Sequence, residues 1–122
     1  MKKTVLEIDL NALENNFNII SSKLKPKTRF MAVVKANGYG PNSVEIAKKL
    51  ESLKVDYFAV AFASEGVVLR KSGIKTPILV LLPQVASFSE IVKYDLEPSL
   101  YSFYFLENFH NYLNSNNIKK YP

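Results

Sequence analysis

The sequence predicts an α/β fold built on a parallel sheet, and three observations carry the prediction. Short apolar runs rich in β-branched and aromatic residues alternate with helical patterns, which is the signature of βα units. Runs such as Phe30–Val34 are apolar almost throughout, as strands covered on both faces are. The length of 122 residues, with 48% hydrophobic and 22% charged residues, suits one packed folding unit. About five βα units run through residues 1–122 as one domain, with no linker, fixed-period repeat or low-complexity segment between them.

The first unit is a predicted strand over Thr4–Leu10, followed by a helix whose start is marked by Asn11 and, three residues on, Glu14. Leu13, Phe17, Ile20 and Leu24 share one face of that helix. Phe30–Val34 forms the second predicted strand and delivers Lys35 at its C-terminal end. A glycine-bearing loop leads to a helix over about Ser43–Leu53, and the third strand is Asp56–Phe62. The next helix, about Ser64–Ser72, ends at Gly73, a residue suited to a left-handed cap. Ile78–Leu82 is the fourth strand, closed by Pro83, and Ser87–Lys93 a short helix. Pro98 makes the fifth strand, Glu97–Tyr101, short or irregular. Phe103–Leu113 is its helix, and Asn114–Asn117 a polar turn cluster.

Several function classes are disfavoured. There is no cysteine, so disulfide frameworks and thiolate metal sites are excluded and a reducing cytoplasm is the simplest location. His110 is the single histidine, and no carboxylate cluster has metal-ligand spacing. Met1-Lys2-Lys3 begins like an export signal, but Glu7 and Asp9 break the apolar stretch that such a signal needs. The longest apolar run, between Pro77 and Pro83, is far short of the roughly 18 residues that cross a bilayer, so no membrane partner is expected. The net charge of +5 comes from scattered pairs such as Lys48-Lys49, with Arg29 and Arg70 the only arginines. That is a solvated basic surface and not a nucleic-acid interface.

The chemistry concentrates in Ala32-Val33-Val34-Lys35-Ala36-Asn37-Gly38-Tyr39-Gly40. Strand alternation points Val33 and Lys35 the same way. On an interior face the amine is partly desolvated, which favours its neutral form, the nucleophile that condenses with an aldehyde to a Schiff base. Tyr39 offers a hydroxyl to an anion above the sheet, and Gly40 with the N-terminus of the following helix offers backbone N–H groups to phosphate. Taken singly, each residue has a plainer reading. A lysine at a strand end usually snorkels to water, a tyrosine in a glycine-flanked loop is usually a surface aromatic, and Gly38 and Gly40 serve a turn.

Taken together, AVVKANGYG closely resembles the cofactor-lysine motif of the alanine racemases. The opening LEIDLNALENN, then Ala59–Phe62, Glu65, Leu69-Arg70, Gly73-Ile74 and Pro77–Leu81, are similar to the family's segments in the same order, and the likeness weakens after about Pro83. The resemblance implies part of a (β/α)₈ TIM-type barrel and a pyridoxal-phosphate enzyme that interconverts L- and D-alanine by two-base proton transfer. It implies that Lys35 forms the Schiff base to pyridoxal 5'-phosphate and moves a proton at the substrate Cα, that Tyr39 hydrogen-bonds the cofactor phosphate, and that Val33 and Leu81 pack against the cofactor. It further implies a small-molecule substrate, a product that feeds peptidoglycan, and a homodimer in which the partner supplies the opposing tyrosine.

Two departures accompany the resemblance. Pro41-Asn42 stand where relatives often have His-Gly, so the loop into the next helix is expected to differ. Eight strands and about 250 residues make the full barrel, so a 122-residue chain is expected to be a truncated portion that is inactive alone. The rival readings are another barrel-type pyridoxal-phosphate enzyme, such as a D-amino-acid aldolase or a decarboxylase, and a non-catalytic carrier of the cofactor. The tyrosine four residues after the lysine favours the racemase.

Overall fold

The computed structural model describes residues 4–40 and 42–122. In chain order the elements are α1 (Leu10–Ser22), β1 (Met31–Val33), a five-residue helical turn α2 (Lys35–Tyr39), α3 (Ser43–Ser52), β2 (Tyr57–Val60), α4 (Ala63–Lys71), β3 (Ile78–Val80), a 3₁₀ turn at Val85–Ser87, α5 (Phe88–Lys93), β4 (Glu97–Pro98) and α6 (Phe103–Ser115). The strands form one parallel sheet in the order β1-β2-β3-β4. Sequence order equals spatial order, as expected when each helix returns the chain to the next position in the sheet.

The two faces of the sheet differ, and the alternation of strand side chains explains how. Ala32, Val34, Phe58, Val60, Ile78 and Val80 are buried on one face. They share a core with Ala47 and Leu50 of α3, Val67 and Leu69 of α4, Phe88 and Ile91 of α5, and Phe109 of α6. The opposite face carries Met31 and Val33 of β1, which are exposed, and Tyr57 and Leu79, which are half-buried. Register aligns Met31 with Tyr57 and Val33 with Ala59 and Leu79 along this face, where Ala59 alone is fully buried. Gly66 lets α4 approach closely on the covered side: a Cβ there would stand 2.9 Å from a methyl of Leu96.

The N-terminal unit departs from expectation. Residues 4–9 form no strand, and the helix begins at Leu10 with Asp9, not Asn11, as its cap. The Asp9 carboxylate accepts hydrogen bonds from the Asn11 and Ala12 N–H groups at 2.9 and 3.0 Å. A strand is defined by its partner, and no described residue pairs with this segment, which leaves Val5 and Leu6 exposed. Four βα units, not five, therefore carry a paired strand among the described residues. On α1, Leu13 and Phe17 reach the core and Phe17 packs on Phe30, whereas Ile20, and Leu24 just past the helix end, are exposed. Pro98 shortens β4 to two residues, as its missing N–H requires. Met1–Lys3 and Pro41, which carry the export-signal reading and the His-Gly departure, lie outside the described residues.

Candidate active site

Lys35 follows the C-terminal end of β1 and starts a turn of unusual hand. Ala36, Asn37, Gly38 and Tyr39 all have positive φ, between 52° and 68°. Only glycine adopts this region freely, and other residues lose roughly 1–2 kcal/mol each. Gly38 is required here twice over, since a Cβ at φ +68° would also meet Ile46 and the Ser43 backbone at 3.0–3.2 Å. Ala36, Asn37 and Tyr39 need compensation from outside the turn.

That compensation is visible. The turn closes on itself through Gly38 N–H to the Val34 carbonyl and Gly40 N–H to the Ala36 carbonyl, both 3.1 Å. The Asn37 side chain accepts from the Ser43 N–H at 3.2 Å. The Ala36 N–H donates to Glu65 Oε1 at 2.7 Å, while Oε2 of the same carboxylate accepts from Ala61 and Phe62 N–H at 2.7 and 2.9 Å. Charge-assisted bonds of this kind each contribute about 1.5–3 kcal/mol, enough to hold one or two left-handed residues. Glu65 and Asn37 were not among the expected site residues. Besides its place in the family-like order of segments, the signal for Glu65 was a glutamate in the first turn of a helix, which announces its bond to Phe62 but not its bond to Ala36.

The four expected residues share one region. Lys35 is half-buried at the C-terminal edge of the sheet, and Tyr39 stands at the other end of the same turn, 65% exposed. Val33 lies on the bare face, and Leu81 follows β3, half-buried, with its N–H bonded to the Val60 carbonyl. The sheet register puts two small residues, Ala59 and Ala61, between the β1 and β3 sides of this face. Ala59 is fully buried there and Ala61 half-buried. Val33, Lys35, Tyr39 and Leu81 thus gather on one side of the fold, at the C-terminal ends of parallel strands, where α/β sheets bind ligands.

One expectation is corrected. The N-terminus of α3 does not present free N–H groups to a phosphate. Val44 and Glu45 N–H are capped by the Asn42 side chain at 3.0 and 3.3 Å, Ser43 N–H by Asn37, and Ile46 N–H by the Asn42 carbonyl. An asparagine at the cap position satisfies its own helix, so a phosphate near Tyr39 must find other donors.

A second polar group occupies the bare face at the opposite end of the strands. The Tyr57 hydroxyl donates to Glu97, and the Arg29 guanidinium stands 5.7 Å from the Tyr57 ring. Burial, reinforced by the bond to Glu97 and its charge, pushes the Tyr57 phenol up to about 12 against the opposing charge of Arg29. This groove, which also includes Phe30, Met31 and Leu79, is at the N-terminal end of the strands and away from Lys35. Among the described residues no helix is long and apolar enough to cross a membrane, and no group of three or more His, Asp or Glu side chains is placed to hold a metal ion.

Known proteins resemble this chain in both sequence and fold. The family described as alanine racemase, N-terminal domain, matches residues 8–120. The chain is 46% identical over 93 residues to alanine racemase 2 of Clostridium acetobutylicum, covering 75% of this chain and 24% of that protein. It is 42% identical over 103 residues to the serine/alanine racemase of Enterococcus gallinarum, covering 84% and 15%. The solved alanine racemase of Clostridium difficile 630 superposes with a TM-score of 0.84 at 36% identity, over 88% of this chain and 29% of that one. The chain thus spans less than a third of the length of each of these relatives. Its four-stranded sheet, helix-covered on one side and bare on the other, is an arc of the TIM-type barrel, and the chain belongs to the alanine racemase N-terminal domain family.

Proposed function

We propose that this chain carries the cofactor lysine of an amino-acid racemase, with alanine as substrate and pyridoxal 5'-phosphate as cofactor. The observation that carries the reading is the joint placement of Lys35 and Tyr39 at the two ends of one clamped left-handed turn, at the C-terminal edge of the sheet. The donor set fits the cofactor: a primary amine for its aldehyde, a phenol for its phosphate, and apolar walls for its ring. When bound, pyridoxal phosphate supplies an electron sink for the negative charge left as the substrate Cα loses its proton.

The chain's own residues do the rest. Lys35 would hold the cofactor through its amine and, once displaced by the amine of the substrate, would take the Cα proton as an amine or return one as an ammonium on one face of the substrate. Tyr39 donates its hydroxyl to a phosphate oxygen. Val33 and Leu81 would pack apolar side chains against the cofactor and shield its polar contacts from water. The racemase names of the relatives support the substrate class. The wider reading adds an opposing base on a partner subunit in a homodimer, a cytoplasmic setting, and D-alanine destined for peptidoglycan.

The test is chemical. The chain is incubated with pyridoxal phosphate, reduced with borohydride and mapped by peptide mass. The label is expected on Lys35, and Lys35→Ala is expected to remove it. Label spread over surface lysines such as Lys48 and Lys71, with none favoured, would reject the assignment.

A further inference from the structure

Glu65 has a local task that accounts for only part of what it does. At the third position of α4 its carboxylate caps the helix start through Phe62 and Ala61 N–H. Its other oxygen reaches Ala36, 29 residues away in sequence and on another strand's loop. Helix capping gives no reason for that bond. Ala36 is the residue next to Lys35, and its φ of 52° is one that alanine does not hold without help. The carboxylate therefore ties the loop after β1 to the loop after β2, using both oxygens at once.

We propose that Glu65 is a positioning residue for Lys35: by holding the Ala36 N–H it fixes the left-handed turn and with it the direction in which the amine and the Tyr39 hydroxyl are presented. The proposal rests on the function read for Lys35 above. Glutamine cannot replace the carboxylate, because an amide has one acceptor oxygen for two groups of donors. Turned to keep Ala61 and Phe62, it sets its own NH₂ against the Ala36 N–H. Glu65→Gln thus releases the lysine turn while preserving most of the helix cap.

The full chain is compared as wild type, as Glu65→Gln and as the double variant Phe62→Ser/Glu65→Gln. Serine is a strong cap residue, so the double variant adds stability at the start of α4 without restoring the tie to Ala36. Two readouts are used: amide hydrogen exchange at Ala36 without cofactor, and the rate of reductive labelling of Lys35 by pyridoxal phosphate relative to Lys48 in the same digest. Glu65→Gln is expected to speed Ala36 exchange at least tenfold and to cut the Lys35:Lys48 labelling ratio at least fivefold. In the double variant the unfolding midpoint is expected to recover while both readouts stay impaired. Recovery of Lys35 labelling together with the midpoint would show that Glu65 is a helix cap alone and overturn the proposal, as would unchanged Ala36 exchange in Glu65→Gln. A wild type with no preference for Lys35 rejects the proposed function instead, a result the exchange measurement leaves distinct.

Discussion

Two glutamates do the same chemistry at opposite ends of the sheet. Glu65, at the C-terminal ends of the strands, accepts from Ala36, Ala61 and Phe62 N–H. Glu51, in the last turns of α3, accepts from the Lys75 N–H, the Thr76 N–H and the Thr76 hydroxyl at 2.7–2.8 Å. Each pins a loop that lies more than twenty residues away. What differs is the loop: the Glu51 loop is an ordinary entry into β3, whereas the Glu65 loop is a left-handed turn that bears the lysine. One carboxylate holds the fold together, and the other holds a conformation the local sequence resists.

The Glu51 end is sealed a second time. Arg70 donates to the carbonyls of Ile74, Thr76, Tyr94 and Asp95 at 2.7–3.0 Å, gathering the loops before β3 and β4 onto α4. Glu51 takes the N–H groups of the 75–76 loop and Arg70 the carbonyls on either side of Lys75. The largest effect in the molecule is expected here: Arg70→Met leaves four carbonyls without this donor and lowers unfolding free energy by about 3 kcal/mol. Urea denaturation checks it. If the two ends are as separate as drawn, native-state exchange at Ala36 stays within twofold of wild type; a loss of Ala36 protection beyond the change in global stability would join the ends into one unit.

An effect of intermediate size depends on pH. Burial pulls the Glu51 carboxyl upward, but the bonds from Thr76 and Lys75 and the charge of Arg70 outweigh it, so it lies below its ordinary value of 4.5. A carboxyl depressed in the folded state contributes stability that is whole above the unfolded pKa and is lost as pH falls through the folded one. Wild type is therefore expected to lose more stability than Glu51→Gln on acidification below about pH 4.5. Parallel pH-stability curves for the two proteins would remove Glu51 from the comparison.

The contrast also marks what a sequence can disclose. Phe30–Val34, YFAVAF and Ile78–Leu82 announce strands because the runs are short, apolar and rich in β-branched and aromatic residues, although the sheet is covered on one face only among the described residues. Residues 4–10 show an extended pattern too, yet pairing depends on a neighbour that a pattern does not name. The roles proposed for Lys35 and Tyr39 come from a string that is distinctive as a whole. Ala36 was not legible, since alanine carries no mark of a left-handed conformation and only Gly38 hints at one. Glu65, Glu51 and Arg70 were illegible in their main roles for the same reason: their partners are chiefly backbone groups, which every residue has, brought near by the packing of distant segments. Local chemistry is written in side chains, and long-range clamps are written in the packing.

The smallest expected effect sharpens the boundary of the candidate site. Asn42 caps α3 on the far side of the lysine turn, and through its side chain and carbonyl it occupies the Val44, Glu45 and Ile46 N–H groups. Asn42→Ala is expected to cost about 1 kcal/mol, the usual loss for a cap residue. The informative part is the response to phosphate. In wild type the capped N–H groups are unavailable, so inorganic phosphate raises the unfolding midpoint only by the general salting effect that any protein shows. In Asn42→Ala two of them are open at a helix start, where an anion is favoured, and the midpoint is expected to rise by an additional one to two degrees, roughly the shift that a few tenths of a kcal/mol produces in a domain of this size. An equal rise in both proteins would mean that wild-type α3 already receives phosphate, and would move the phosphate site of the proposed enzyme back to the helix that Asn42 closes off.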